Sequence, residues 1–580
     1  MKKRIIFSAL VIATAITIHA VPAYRGWQTK IQPDGTTIQV QQNGDEVYHY
    51  FTNTDGDIVR KDTDGYWRVV EAQPTVETIR ARRAKAHRAP VRRVGGINLA
   101  PRGLFILVNF ADTIYQSGNT QAQMDSMMNA VNYTYGGSYG SARKYFIDQS
   151  SGAYTPTFDV VGPVTLTKQV AYYGKNIPVK DENGQDTDQE EDQYPGDMVI
   201  EACKLAKSQF GVDFTQYDND HDGEVDFVYI IYAGKGEADG GKTETIWPHN
   251  WNIESAIYYG NCTYTADQCK VDGLSINNYA CSGELDGQMG NRNGIGTLCH
   301  EFGHVLGLPD FYDTNYGSNS TNKRTPGNWD IMDSGSYNGD GCCPPNYSAF
   351  EKYFFGWATP INPGSDGQGL TLYPAGSADY QAYQINAAGT LQSATTEGLN
   401  YYIENRQQVG WDQYLPGHGM IVWYVDYSQT AWDNNTPNNT ASYPRYTVES
   451  ASGFTTQIGQ ARDPFPGIGN VTMWSKISGT PLKDIREENG VIRLTYKDVF
   501  LGYTVNWVAD GETIESKVYK VAGAPLEMPT AEVAPCEGMR LIGWTTEADY
   551  HDPFVLPADL FTDAEGKTVT NHTTYYAVFE

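Results

Sequence analysis

Residues 300–310 read His300-Glu301-Phe302-Gly303-His304-Val305-Leu306-Gly307-Leu308-Pro309-Asp310, a stretch that leaves the backbone little choice. Side chains four apart share one face of a helix, so His300 and His304 grip one ion only if this segment is helical. Glu301 then stands beside that ion, where a general base can reach a water on it. Gly307 lets the chain leave the helix with positive φ, and the turn delivers Asp310 as third ligand. Asp313 lies three residues on and competes for that role, but Asp310 holds the position the pattern requires. Three protein ligands with one open position describe a catalytic rather than a structural Zn²⁺. A helix whose histidines merely sit at its surface or in its core would need neither the glycine nor the aspartate.

The chain has 580 residues, too many for one hydrophobic core, so several domains are expected. Its 41 tyrosines and 59 glycines, with short turns between apolar runs, lean towards β structure. The formal net charge of -27 argues against nucleic acid or anionic membrane as a partner and suits calcium binding. Residues 1–23 read as a secretory signal peptide: Lys2, Lys3 and Arg4 precede the apolar residues 5–18, with cleavage after Ala20 or Ala23. No later segment is long enough to span a membrane. The expected location is therefore secreted, extracellular. Eight cysteines in an exported chain permit disulfides but are too sparse for a disulfide scaffold. Cys262 and Cys269 are the nearest pair across a short loop, no connectivity being specified. Cys299 abuts the first histidine and reads as a small buried apolar residue.

Residues 24–96 are expected to be a pro-segment and basic linker. Turn signals at Pro33-Asp34-Gly35, Asn43-Gly44, Asp55-Gly56 and Asp64-Gly65 separate short alternating runs, the pattern of a small β-meander. The run Arg80, Arg82, Arg83, Lys85, Arg88, Arg92 and Arg93 reads as a linker open to trypsin-like cleavage. Residues 97–360 form the expected catalytic domain, mixed α/β. Buried strands are expected at 103–110 and 227–232, helices at 121–131, 142–147 and 198–206, and the motif helix from near Ile295. Residues 361–500 read as a β-sandwich domain and 501–580 as a small separate β module.

Downstream of the motif, Asp330-Ile331-Met332-Asp333-Ser334-Gly335-Ser336-Tyr337 has the look of a Met-turn, a tight loop placing Met332 beneath the metal ligands as packing. A thioether is a poor ligand for Zn²⁺ beside imidazole and carboxylate.

The stretches HEFGHVLGLPDFYD and DIMDSGSYN resemble the M6 family of metallopeptidases, the immune-inhibitor-A-like group of metzincin-like zincins. Gly140 to Phe146, Phe158 to Pro163, Gly410 to Asp412 and Leu415 to Gly417 extend the resemblance over about 25–480. It implies a secreted zymogen that hydrolyses proteins, with a metzincin-like catalytic domain flanked by an N-terminal β pro-segment and C-terminal β domains. The last 80 or so residues, with Gly543-Trp544-Thr545-Thr546 and the ending Tyr575 to Phe579, are similar to Listeria–Bacteroides surface repeats. One departure stands out. The usual metzincin motif ends in a third histidine where this chain has Asp310, which lowers the charge of the site by one. Tyr337 is the nearest aromatic candidate for steadying the transition state, although it does not hold the MxY spacing.

Asp218, Asp220, Asp222, Glu224 and Asp226 form a D-x-D-x-D-G-x-x-D loop for Ca²⁺, with Gly223 at the sharp turn and Glu224 offering its backbone carbonyl. Tyr229 stands where an EF-hand needs glutamate, so the loop is EF-like only; an acidic surface turn is the other reading. His249 either lines the cleft or is a hydrogen-bonded structural histidine. The pro-segment has no cysteine, so a carboxylate from Asp34, Asp45 or Asp57 would have to replace a cysteine switch.

The function expected is zinc-dependent endopeptidase action on extracellular proteins, with Glu301 as general base. Two alternatives stay open: a non-enzymatic surface or adhesive protein with a structural zinc, and a zinc hydrolase acting on peptidoglycan. The C-terminal β modules are candidates for cell-surface or glycan contact, and the sequence sets no oligomeric state.

Overall fold

The computed structural model describes residues 22–23, 26–45, 49–62, 64–70, 100–180, 186–286, 290–314, 324–440, 443–453, 460–497, 503–519, 523–533, 538–548 and 556–580. Residues 1–21 of the expected signal peptide 1–23, the basic linker and Cys536 lie outside them. No helix among the described residues is long and apolar enough to cross a membrane.

The chain divides into two compact units. The first begins with an antiparallel meander of five strands in sequence order: β1 (Trp27–Ile31), β2 (Thr37–Gly44), β3 (His49–Asn53), β4 (Ile58–Lys61) and β5 (Trp67–Val69). Three of its turns fall at the Asp-Gly signals, with Gly35, Gly56 and Gly65 at positive φ, whereas Asn43-Gly44, expected as a turn, lies in β2 paired with Tyr50 and His49.

The centre of this unit is a five-stranded sheet. Its strands are β6 (Arg102–Asn109), β7 (Thr157–Thr165), β8 (Val228–Lys235), β9 (His249–Asn252) and β10 (Asn278–Leu285). The order is β9-β10-β8-β6-β7, parallel except for the edge pair β9–β10. Burial on both faces explains the unbroken apolar runs, because successive side chains point to opposite sides. Phe105, Leu107, Tyr229 and Ile231 face one core; Leu104, Ile106, Val108, Val228, Ile230 and Tyr232 face the other.

Helices α1 (Gln121–Asn129), α2 (Ala142–Gln149), α3 (Pro195–Phe210) and α4 (Gly296–Val305) cover the two faces. Helix α3 buries Met198, Val199, Ala202 and Ala206 on the second face. Helix α4, which carries the histidines, lies on the first. There Phe302 meets Phe146, Phe227 and Phe158 at centroid distances of 4.9, 5.6 and 5.8 Å.

Residues beyond 360 contribute an antiparallel sheet of four strands: β11 (Tyr383–Ile385), β12 (Gly398–Arg406), β13 (Gly419–Tyr427) and β14 (Tyr446–Glu449). Its inner residues Tyr402, Ile421, Trp423, Val425, Tyr446 and Val448 belong to the same hydrophobic cluster as Leu298, Phe302, Ile331 and Met332. This sheet therefore shares a core with the motif helix.

The second unit holds mainly residues 495–580. A mixed sheet of four strands surrounds Trp507, Trp544 and Phe561.

Candidate active site

Helix α4 places His300, Glu301 and His304 within little more than one turn, and the 3.6-residue periodicity puts the two histidines on one face. Gly307 ends it at φ 101, its N–H donating to the His304 carbonyl at 2.9 Å while the Leu308 N–H donates to Gly303 at 3.1 Å. That reversal brings Asp310 back over the helix. His300 Nε2 and His304 Nε2 lie 3.2 Å apart. Asp310 Oδ1 lies 3.2 Å from the first and 3.4 Å from the second. All three side chains are buried. Asp313 is not part of this group of three.

The proton positions follow from the partners. His300 Nδ1 meets the Ile331 carbonyl at 2.7 Å and His304 Nδ1 meets the Leu308 carbonyl at 2.8 Å. A carbonyl only accepts, so each Nδ1 carries the hydrogen and each Nε2 turns a lone pair towards the other two ligand atoms. Two lone pairs and a carboxylate oxygen converging in a buried space favour a cation at their centre. A tetrahedral zinc with ligands at about 2.0–2.1 Å has ligand–ligand edges of about 3.3–3.4 Å, so the three separations fit it.

Glu301 is fully buried next to these ligands. After burial itself, its charge is the largest influence holding the Tyr229 phenol well above its ordinary pKa. Cys299 points away from the ligands into the core, and burial raises its thiol pKa likewise.

Met332 is fully buried under the helix. A Cβ on Gly303 would sit 2.5 Å from its Sδ, so the glycine inside the motif exists to admit the methionine. Gly296 has the same relation to the turn that follows: a Cβ there would lie 1.8 Å from the Ser336 carbonyl. The Phe311 N–H donates to the Met332 carbonyl at 2.9 Å, tying the third-ligand loop to the Met332 loop. Tyr337 ends the short 3-10 turn Ser334–Tyr337, and its hydroxyl donates to the Pro22 carbonyl at 2.6 Å.

Two residues beyond the motifs shape this site, Tyr446 through the motif residue Asp330, and Asn435. Asp330 Oδ1 accepts the Met332 N–H at 2.7 Å, and its Oδ2 accepts the Tyr446 hydroxyl at 2.7 Å. Burial raises the Asp330 pKa against the pull of that Tyr446 hydrogen bond. Asn435 hydrogen-bonds Asp310 twice, at its backbone and at its carboxylate. The run Asn434-Asn435-Thr436-Pro437-Asn438-Asn439 was a visible sequence signal for a polar loop, but nothing in it announced its partner.

In the acidic loop, Asp218, Asp220 and Asp222 bring carboxylate oxygens within 4.8 Å of one another, with Gly223 at φ 92. The Asp226 carboxylate turns elsewhere, and so does the Glu224 side chain, whose expected contribution is its backbone carbonyl. Glu224 Oε2 accepts from Asn277 at 3.3 Å, and Asp226 Oδ2 accepts the Asn219 N–H at 2.7 Å. His249 is buried in β9 between the Trp247 carbonyl at 2.6 Å and the Tyr279 hydroxyl at 2.9 Å. Burial lowers its pKa to about 4, as for a neutral structural histidine. Asp34 is exposed and occupied with Thr36, and Asp57 is exposed beside Asn53. Asp45, at the end of β2, is fully buried.

The family description Immune inhibitor A peptidase M6, catalytic domain, matches residues 102–359. The chain carries an M6-family peptidase domain. Over 231 residues it is 30% identical to Immune inhibitor A of Bacillus thuringiensis subsp. alesti, covering 37% of this chain and 31% of that relative. Over 272 residues it is 27% identical to Pre-pro-metalloprotease PrtV of Vibrio cholerae serotype O1 (strain M66-2), covering 42% of this chain and 27% of the relative. The match thus spans about a third or less of the curated relatives. The matched segment contains His300, Glu301, His304, Asp310 and Met332, and ends before Asn435.

Proposed function

We propose that this chain is a secreted, zinc-dependent endopeptidase of metzincin-like build, held latent by its N-terminal segment. The observation that carries the reading is the triangle of His300 Nε2, His304 Nε2 and Asp310 Oδ1, with edges of 3.2, 3.2 and 3.4 Å. His300, His304 and Asp310 would hold Zn²⁺, which when bound supplies the Lewis acidity that polarises a scissile carbonyl and acidifies a water. Glu301 accepts a proton from the attacking water and delivers it to the departing amine. Met332 supports the ligands from below, and Tyr337 is the residue assigned to steady the transition state.

Latency has its own support. Tyr337 is engaged by the Pro22 carbonyl, a contact that the zymogen keeps only where signal cleavage falls after Ala20 and not after Ala23. His49 of β3 stacks on Trp247 at 4.6 Å and lies 3.3 Å from Glu237. Of the three pro-segment carboxylates Asp45 is the buried one, and it lies outside the group His300, His304 and Asp310. Cleavage in the basic linker would release these contacts. Asp218, Asp220 and Asp222 would hold a structural Ca²⁺, and the 501–580 module would serve cell-surface or glycan contact.

Metal analysis joined to a casein digest by processed protein tests the reading, for the parent and for Glu301→Gln. The expected result is one zinc per chain in both and turnover only in the parent. A Glu301→Gln protein that cleaves casein at the parental rate overturns it.

A further inference from the structure

The helix Gln429–Asp433 ends at Asn434. The Asn435 N–H donates to the Trp432 carbonyl at 3.1 Å and the Thr436 N–H to the Ala431 carbonyl at 2.9 Å. This is a Schellman ending, with Asn435 in the left-handed position at φ 51. Glycine is the residue that local backbone energetics favour there. The asparagine side chain finds its use elsewhere. Its Oδ1 accepts the Asp310 backbone N–H at 2.6 Å. Its Nδ2 donates to Asp310 Oδ2 at 2.7 Å. The carboxamide thus closes a ring with one residue, grasping it at main chain and side chain together. Only this orientation of the amide makes both bonds, since the flipped one sets amine against N–H and carbonyl against carboxylate.

With Oδ2 held, Asp310 Oδ1 is the oxygen directed at His300 and His304, 3.2 and 3.4 Å away. The rest of the loop reinforces this grip. Asn438 Nδ2 donates to the Phe311 carbonyl at 2.6 Å, and Thr314 donates to the Asn435 carbonyl at 3.1 Å. Asn435 is fully buried, so no water competes for its amide.

We propose that Asn435 is a positioning residue: it orients the third metal ligand, Asp310, and makes the metal site depend on a loop outside the matched peptidase segment 102–359. The inference rests on the zinc reading above. A carboxylate with two rotatable bonds left unguided presents either oxygen, or neither, to the ion. Outer-shell partners that remove this freedom are worth about 10–100-fold in metal affinity.

The test uses the full chain, with Zn²⁺ affinity measured by chelator competition and ligand geometry by the visible spectrum of the Co²⁺-substituted protein. Asn435→Gly suits the left-handed backbone and deletes only the carboxamide. Its zinc dissociation constant should rise about 10–100-fold, its Co²⁺ spectrum should change, and its metal-free form should still melt cooperatively. In an Asp310→Ala background the same substitution should have no further effect on affinity, because Asn435 acts through Asp310. Zinc affinity within twofold of the parent overturns the proposal. So does an effect that persists without Asp310, or loss of the cooperative melt in metal-free Asn435→Gly, which would assign the residue to the fold. A parent chain that binds no zinc stoichiometrically overturns the zinc reading itself. A parent that binds zinc beside an unaffected variant overturns only the role of Asn435.

Discussion

Gly303→Ala places one methyl group between the motif helix and the Met332 loop. The new Cβ would lie 2.5 Å from Met332 Sδ, 3.2 Å from its Cε and 3.3 Å from the Tyr347 hydroxyl. Non-bonded carbon contacts are comfortable at about 3.5–4.0 Å, so the thioether must retreat by about 1 Å. Met332 is fully buried, which leaves it little room. Overpacking of this kind costs about 1–3 kcal/mol, while alanine in a helix interior gains about 1 kcal/mol over glycine. The expected net effect is a destabilisation of about 0–2 kcal/mol. Met332→Ala alone should cost about 2–5 kcal/mol through the cavity it leaves. In the double variant the added methyl occupies part of that cavity, so the two effects should fall short of their sum by about 1 kcal/mol or more. Urea denaturation of the metal-free Glu301→Gln chain, in which self-digestion is not expected, reads all four corners of the cycle. Strict additivity would refute the claim that the sulfur sits beneath the motif glycine.

A polypeptide ending at residue 359 should fail to melt cooperatively or hold zinc, since Trp423 and Tyr446 of the shared core and Asn435 would be missing; a stable zinc-binding fragment would contradict the one-core arrangement. Tyr446→Phe deletes the hydroxyl bound to Asp330 and should destabilise by about 1–3 kcal/mol, checked by the urea midpoint. Burial, the largest single influence, works to lower the His49 pKa, yet the Glu237 charge and hydrogen bond together with Asp45 outweigh it and the pKa stands raised from 6.5. A raised value means that the pair's contribution to docking is fully present below about 6.5 and is lost as pH rises through the folded pKa. Release of the N-terminal segment, followed by limited proteolysis, should therefore quicken with rising pH, and His49→Gln should flatten that dependence; an unaltered profile in the variant refutes the role of the pair. A calcium-selective chelator should lower the melting temperature while zinc content stays constant; with Asp220→Asn and Asp222→Asn in place, that sensitivity should vanish.

Much of the site was legible because its geometry is local. Helical spacing dictates that His300 and His304 share a face, and Gly307 with Asp310 follows within one turn of chain. The same holds for the central strands, whose doubly buried character shows as continuous apolar runs at 104–108 and 228–232. Boundaries moved by a few residues, as with α3, which runs Pro195–Phe210 where the apolar spacing covered only 198–206. The acidic loop shows how local pattern can overreach. Alternation placed the carboxylates of Asp218, Asp220, Asp222 and Asp226 around one ion with the Glu224 carbonyl; Asp218, Asp220 and Asp222 converge, while the Asp226 carboxylate is held by Asn219.

By itself, then, the sequence determined what is held within about ten residues: the two imidazoles, the adjacent carboxylate and the glycine turn that delivers Asp310. Only the tertiary structure decided what meets across more than a hundred. Asn435 reaches Asp310 and Tyr446 reaches Asp330, because the β11–β14 sheet buries its inner face on the core that supports α4. A hydrophobic face states that it must be covered, not by which surface, since burial of apolar area has no direction. The polar contacts that orient the site are consequences of that choice of surface, and no local spacing encodes them.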